Sequence, residues 1–218
     1  MVCLALSDGT RHCEVLAGAV AALLYLGISH LLHITRALLG QGHERLTLIF
    51  WASAPRPGFK LERGSGILLH VTSLPGSPLV GDLGPSAHEF LELLREAGQR
   101  YWQVLPLSPT APEHDNSPYS GLSAFAGSPL MVSPQLLAEE GLLTKEEVAS
   151  IPQGPRGRVD YPLAYQHRRR LLELALSRFK PTGDYDRFVD SNSWWLSDYA
   201  LYASLREHFN GSDWGSWP

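Results

Sequence analysis

The chain has 218 residues, with 44% hydrophobic and 18% charged side chains, which is enough apolar material for a packed core and excludes wholesale disorder. A formal charge of −4 excludes the basic footprint of a general nucleic-acid binder. The two cysteines, Cys3 and Cys13, cannot form a disulfide framework or a four-thiolate zinc site, and such sparse thiols fit a reducing compartment.

Residues 1–62 read as an atypical leader with an apolar segment at 15–34. Val15 to Leu32 holds no charged side chain and approaches the about 20 residues of a membrane-spanning helix. Ser29, His30 and His33 interrupt the segment and Arg36 closes it, so the expectation is a buried or ill-formed helix and no membrane partner. Only Arg11 and His12 supply positive charge ahead of it, a poor secretory signal. His30 and His33 stand one helical turn apart, but no third ligand lies near, and no metal is expected. Ala52–Gly58 (ASAPRPG) reads as a linker.

From Gly64 onward the pattern is α/β. Gly66–Ser73 (GILLHVTS) predicts a buried strand closed by Leu74-Pro75-Gly76. Pro85 opens a helix in which Phe90, Leu91, Leu94 and Ala97 share one side, with Glu89, Glu92 and Arg95 on the other and Gly98 at the end. Tyr101–Leu107 (YWQVLPL) predicts a second strand. Strand, helix and strand in this order make a βαβ unit with parallel strands.

Ser108 to Pro129 is rich in loop signals, and the rest is mainly helical. Thr144 and Glu147 have capping-box spacing. Pro162 to Phe179 predicts a helix with Leu171, Leu172 and Ala175 on one side and the run His167–Arg170 as a solvated face. Ser193 begins a last predicted helix with Trp195, Tyr199, Tyr202, Leu205 and Phe209 as core, ended by Asn210-Gly211.

Ligands of parallel α/β folds gather beyond the carboxyl ends of the strands. Here those ends are His70–Ser73 and the loop 108–129, whose segment Asn116-Ser117-Pro118-Tyr119-Ser120 groups hydroxyls and an amide around one aromatic ring. Sugars suit that mixture, because hydroxyls need donors and acceptors while the C–H face of the ring packs on an aromatic. The same Asn-Ser-Pro is also an ordinary turn signal, and spacing alone leaves both readings open. Gly64-Ser65-Gly66 precedes a strand and is no phosphate loop, and no G-x-S-x-G turn supports a serine nucleophile. Asn210-Gly211-Ser212 is a glycosylation acceptor only in a secreted protein.

Three blocks carry a family likeness: RGSGILLHVTSLPG, VGDLGPSAHEFLELLREAGQRYWQVLPLSPT and NSPYSGLSAFAGSPLMVSPQLL. They resemble the opening of bacterial 4-α-glucanotransferases, also called amylomaltases or disproportionating enzymes, of glycoside hydrolase family 77. The likeness continues through GRVDYPLAY and WWLSDYALYASL to Trp217-Pro218, and residues 1–62 have no part in it.

The resemblance implies an α/β fold: the first strands of a (β/α)8 barrel from 63 to 129, then a mainly helical inserted subdomain from 130 to 218, truncated at its C-terminus. It implies transfer of α-1,4-glucan segments between malto-oligosaccharides by a retaining mechanism without a cofactor. Retention needs two carboxyl groups roughly 5–5.5 Å apart. The family's catalytic carboxylates belong to later strands, so none of the 22 acidic residues is assigned a catalytic role. Ser117 and Tyr119 fall in the family's SPY motif and are the candidate contacts to the donor sugar. An aromatic that often precedes SPY is absent, with Pro112-Glu113-His114-Asp115 in its place, which argues against a second glucan site. The alternative expectation is a non-catalytic glucan-binding module, with or without a membrane tether supplied by the apolar segment 15–34.

Overall fold

A computed structural model describes Tyr25 and residues 47–50, 63–155 and 157–218. The expected apolar segment 15–34, its histidine pair and the linker 52–58 lie outside the described residues, Tyr25 excepted. The chain divides into two compact units, Leu26–Phe179 and Met1–Tyr25 with Lys180–Pro218.

In the unit Leu26–Phe179, three strands form a parallel sheet: β1 (Thr47–Phe50), β2 (Gly66–Leu68) and β3 (Tyr101–Val104), in the order β1-β3-β2. β3 is central, with Thr47 opposite Tyr101 on one side and Gly66 opposite Tyr101 on the other. The parallel pairing of β2 with β3 across an intervening helix is the βαβ unit expected from sequence. β1 was not expected, because four residues, TLIF, are too few to show a period.

β2 is shorter than its apolar run and is not buried. The ladder ends where Leu69 N–H donates to the Gln103 carbonyl at 3.1 Å, and Val71–Ser73 then form a 3-10 turn. All three β2 residues are exposed, Leu68 by 57%, because the strand stands at a sheet edge uncovered by any described residue. Leu69 and His70 are half-buried, and full burial starts at Val71 and Thr72. There the chain doubles back: Gly81 N–H donates to the Thr72 carbonyl, and a Cβ on Gly81 would come within 2.1 Å of the Val71 oxygen. Only glycine allows that approach.

Helix α1 (Pro85–Glu96) starts on proline, which has no N–H to leave unpaired, and buries Ala87, Leu91 and Leu94. It ends at Gly98, whose φ of +67° is the left-handed conformation that glycine adopts without strain. The buried side packs on β3, where Trp102 and Val104 are wholly enclosed and the Trp102 ring meets Phe90 edge-on at 5.0 Å. Trp102 also donates its indole N–H to the Leu69 carbonyl at 2.8 Å, fixing β3 to the end of β2.

Beyond the loop 108–129 come α2 (Pro134–Glu139), α3 (Lys145–Ala149) and α4 (Tyr161–Arg178). Ser133, Thr144 and Asp160 cap them through their side-chain oxygens. Thr144 and Glu147 complete the expected capping box. Glu147 then grips Arg178 through two bonds of 2.7 Å each.

The expectation for the basic run of α4 needs correction at one residue. Arg169 and Arg170 are exposed, but Arg168 is buried with 5% of its surface accessible. Its guanidinium donates to Asp82 Oδ2 at 3.1 Å and to the Val132 carbonyl. Asp82, 3% accessible, also accepts from Ser77 Oγ and from the Gly84 N–H at 3.0 Å each. Burial pulls the Arg168 guanidinium below its ordinary pKa, and Asp82 opposes that shift.

The unit Met1–Tyr25 with Lys180–Pro218 is built on α5 (Gly183–His208). It starts ten residues before the expected Ser193, because Thr182 caps it and its first turn carries Asp184 and Asp186, which suit the positive end of the helix dipole. Trp195, Leu196 and Ala200 are buried, and Tyr25 meets Tyr185 edge-on at 5.7 Å. The helix ends at Asn210-Gly211 as expected, both residues having positive φ. Trp217 folds back to stack on Phe209 at 5.4 Å.

Arg168→Met leaves Asp82 charged and buried without its partner, and should destabilise the chain by about 3–5 kcal/mol in urea unfolding. Arg168→Lys, which keeps the charge but not the fork, should cost less. A second expectation concerns acid. Arg178 and the Thr144 N–H hold the Glu147 carboxyl down at about 2, against an ordinary 4.5. The unfolded chain therefore binds the extra proton between these values, so stability is lost as pH falls from 4.5 toward 2. Melting curves should show wild type more stable than Glu147→Gln above pH 5, with the difference shrinking through that window.

Candidate functional site

The loop after β3 is tied down at its stem. Ser128 N–H donates to the Leu107 carbonyl at 2.7 Å and Leu122 N–H to the Pro109 carbonyl at 2.8 Å. Its tip begins with a 3-10 turn at Pro112–His114, followed by Asp115 and Asn116 with φ of +51° and +54°. Asp and Asn tolerate this left-handed conformation better than other side chains. The two positive values turn the chain so that Ser117 N–H meets the His114 carbonyl at 2.9 Å.

Ser117 and Tyr119 sit together on this tip. Ser117 Oγ accepts from the Tyr119 N–H at 3.3 Å, and Ser120 N–H closes on the Ser117 carbonyl at 3.1 Å. That bond occupies a lone pair of the serine oxygen, so its O–H stays available as a donor. The Tyr119 ring is 72% exposed. The turn chemistry expected for Asn-Ser-Pro is therefore present, and it presents an aromatic face beside a hydroxyl.

Helix α4 braces both strand ends through two tyrosines one turn apart. Tyr161 OH lies 3.4 Å from Thr72 Oγ1, just after β2. Tyr165 OH lies 2.9 Å from Thr110 Oγ1 and donates to the Thr110 carbonyl at 3.1 Å, after β3. Burial raises the Tyr165 phenol above its ordinary value, keeping it a neutral donor. Sequence reasoning missed both supports, although the i, i+4 spacing of the tyrosines in YPLAY places them on one helix face.

Two further polar atoms stand out, one shortly after β2 and one at the loop tip. His70 Nδ1 and Asn116 Oδ1 are buried with no hydrogen-bond partner. Burial pushes the His70 imidazole below its ordinary pKa, so the ring is neutral at pH 7. No group of three His, Cys, Asp or Glu side chains among the described residues could hold a metal ion. No helix among them is long and apolar enough to cross a membrane.

The sequence model of glycoside hydrolase family 77, 4-alpha-glucanotransferase, matches residues 69–218. The 4-alpha-glucanotransferase of Thermus thermophilus is 44% identical over 165 residues, which is 73% of this chain and 32% of that protein. That of Aquifex aeolicus is 43% identical over 155 residues, 71% of this chain and 31% of that protein. The chain thus spans about a third of the length of these relatives. An amylomaltase from Streptococcus agalactiae, solved in complex with acarbose, superimposes with a TM-score of 0.65 at 34% identity, covering 72% of this chain and 32% of that one.

Tyr165→Phe should lower unfolding free energy by about 0.5–1.5 kcal/mol, since it removes a buried hydroxyl and strands its partner. Tyr119→Ala, on an exposed ring, should stay within about 0.5 kcal/mol of wild type. Urea unfolding of both variants measures the contrast.

Proposed function

Because the chain belongs to glycoside hydrolase family 77, the 4-alpha-glucanotransferases, we propose that it is the opening part of an enzyme that moves α-1,4-glucan segments between malto-oligosaccharides. In this reading β2 and β3 are the first two strands of a (β/α)8 barrel, spanning 63–129, and residues 130–218 form a mainly helical insertion. The loops at the carboxyl ends of the strands face the substrate. Cytoplasmic location follows the same reading.

The observation that carries it is the exposed Tyr119 ring beside the Ser117 hydroxyl, on a loop inside the residues the family matches. Ser117 and Tyr119 bind the donor sugar in this scheme: Tyr119 packs its face on the C–H surface of a glucose unit, and Ser117 donates to a sugar hydroxyl. The likeness to a protein solved with acarbose supports an α-glucan ligand. Retaining transfer needs a nucleophilic carboxylate and an acid/base carboxylate in one cleft. No acidic residue of this chain is given either role, so the 218-residue chain alone should release no glucose from maltotriose.

Acarbose titration, followed by tryptophan and tyrosine fluorescence, tests the binding half. Tyr119→Ala should weaken binding up to about tenfold, the loss that corresponds to 0.5–1.5 kcal/mol of ring contact. Tyr119→Phe should weaken it less, since the ring face remains. Equal affinity in wild type and Tyr119→Ala would remove Tyr119 from the site.

A further inference from the structure

The strand order β1-β3-β2 carries an implication that neither the family nor the loop does. We propose that Thr47–Phe50 is a stand-in strand: it closes the outer edge of β3 and must leave that edge before the next barrel strand can pair there. The inference rests on reading β2 and β3 as the first two strands of a (β/α)8 barrel. In such a barrel each strand neighbours its predecessor, so the strand after β3 belongs on the side of β3 away from β2. β1 occupies that side over four register pairs, from Thr47 opposite Tyr101 to Phe50 opposite Val104. Two segments therefore have a claim on one edge.

β1 is not a misplaced family strand. It ends at Phe50, whereas the blocks that carry the family likeness begin at Arg63, ahead of β2. Residues 51–65 between β1 and β2 have the length that a crossover between parallel strands requires, about a dozen or more. The edge it covers is one the chain cannot leave open at no cost. β3 contributes the fully enclosed Trp102 and Val104, and a bare strand edge offers its N–H and C=O groups to any other chain. Exchanging one parallel strand for another swaps backbone hydrogen bonds nearly one for one, so side-chain packing decides which segment stays. Thr47–Phe50 thus protects β3 and competes for it.

Hydrogen exchange tests the proposal in the 218-residue chain. Ile49→Pro fixes φ near −65° and places a ring in the strand, which obstructs pairing. Amides of Tyr101–Val104 should then exchange at least tenfold faster, while those of Ala164–Ala175 in α4 keep their rates and Ile49→Val changes neither. Unaltered exchange at Tyr101–Val104 in Ile49→Pro would overturn the role of β1. A second measurement uses no destabilising substitution: the intact chain is fused to the portion of the Thermus thermophilus relative that follows the matched region. Amides of Thr47–Phe50 should exchange at least tenfold faster in the fusion, with Tyr101–Val104 still slow. Slow exchange at both segments would overturn the competition. Glucan transfer by the fusion is scored separately. Transfer with Thr47–Phe50 still protected refutes the stand-in strand alone, and release of Thr47–Phe50 without transfer counts against the enzymatic reading alone.

Discussion

Asp82 and Arg168 meet in a place where neither could stand without the other. Both are almost fully enclosed, and an isolated charge there would be heavily penalised. The carboxylate spends one oxygen on the Gly84 N–H at the start of α1 and the other on Ser77 and Arg168. The guanidinium reaches on to the Val132 carbonyl. One ion pair therefore joins the β2–α1 connection, the entry to α2 and the middle of α4. The planar fork of arginine is suited to serving two acceptors at once, which a lysine ammonium does less well.

That junction sets where α4 lies, and α4 in turn holds the strand ends. Tyr161 and Tyr165 lie on the N-terminal side of Arg168 along the helix and reach Thr72 and Thr110, one after β2 and one after β3. The sugar-facing candidates Ser117 and Tyr119 touch none of this scaffold directly. Their turn is shaped by local backbone bonds and by two left-handed residues, and its stem is fixed to Leu107 and Pro109. The division is physically sensible: the loop tip can vary its chemistry while a buried polar frame keeps its base in place.

The sheet shows the opposite condition. Parallel strands are normally covered on both faces, yet β2 is exposed at every residue. β3, one strand away, is among the best-packed parts of the chain, with α1 against Trp102 and Val104. The contrast follows from position in the sheet, since β3 has a partner on each side and β2 on one. The matched relatives are about three times longer than the matched portion, so they carry material beyond the portion described here.

The legible features were those written within a few residues of each other. Pro85 and Gly98 bounded α1, Thr144 and Glu147 formed the capping box, and Asn210-Gly211 ended α5, because caps and turns are local geometry. The Asn-Ser-Pro-Tyr turn and the family blocks were likewise visible without coordinates. Arg168 looked like its exposed neighbours Arg169 and Arg170, and nothing near it in sequence names Asp82, 86 positions away, as its partner. The four residues of β1 have no period of their own, and the exposure of β2 depends on which strands lie beside it. The sequence by itself determined the limits of α1, the end of α5, the parallel pairing of β2 with β3, and the family. Tertiary structure decided which charge is buried, which strand is open and which segment holds the edge of β3, because each depends on contacts between residues far apart in the chain.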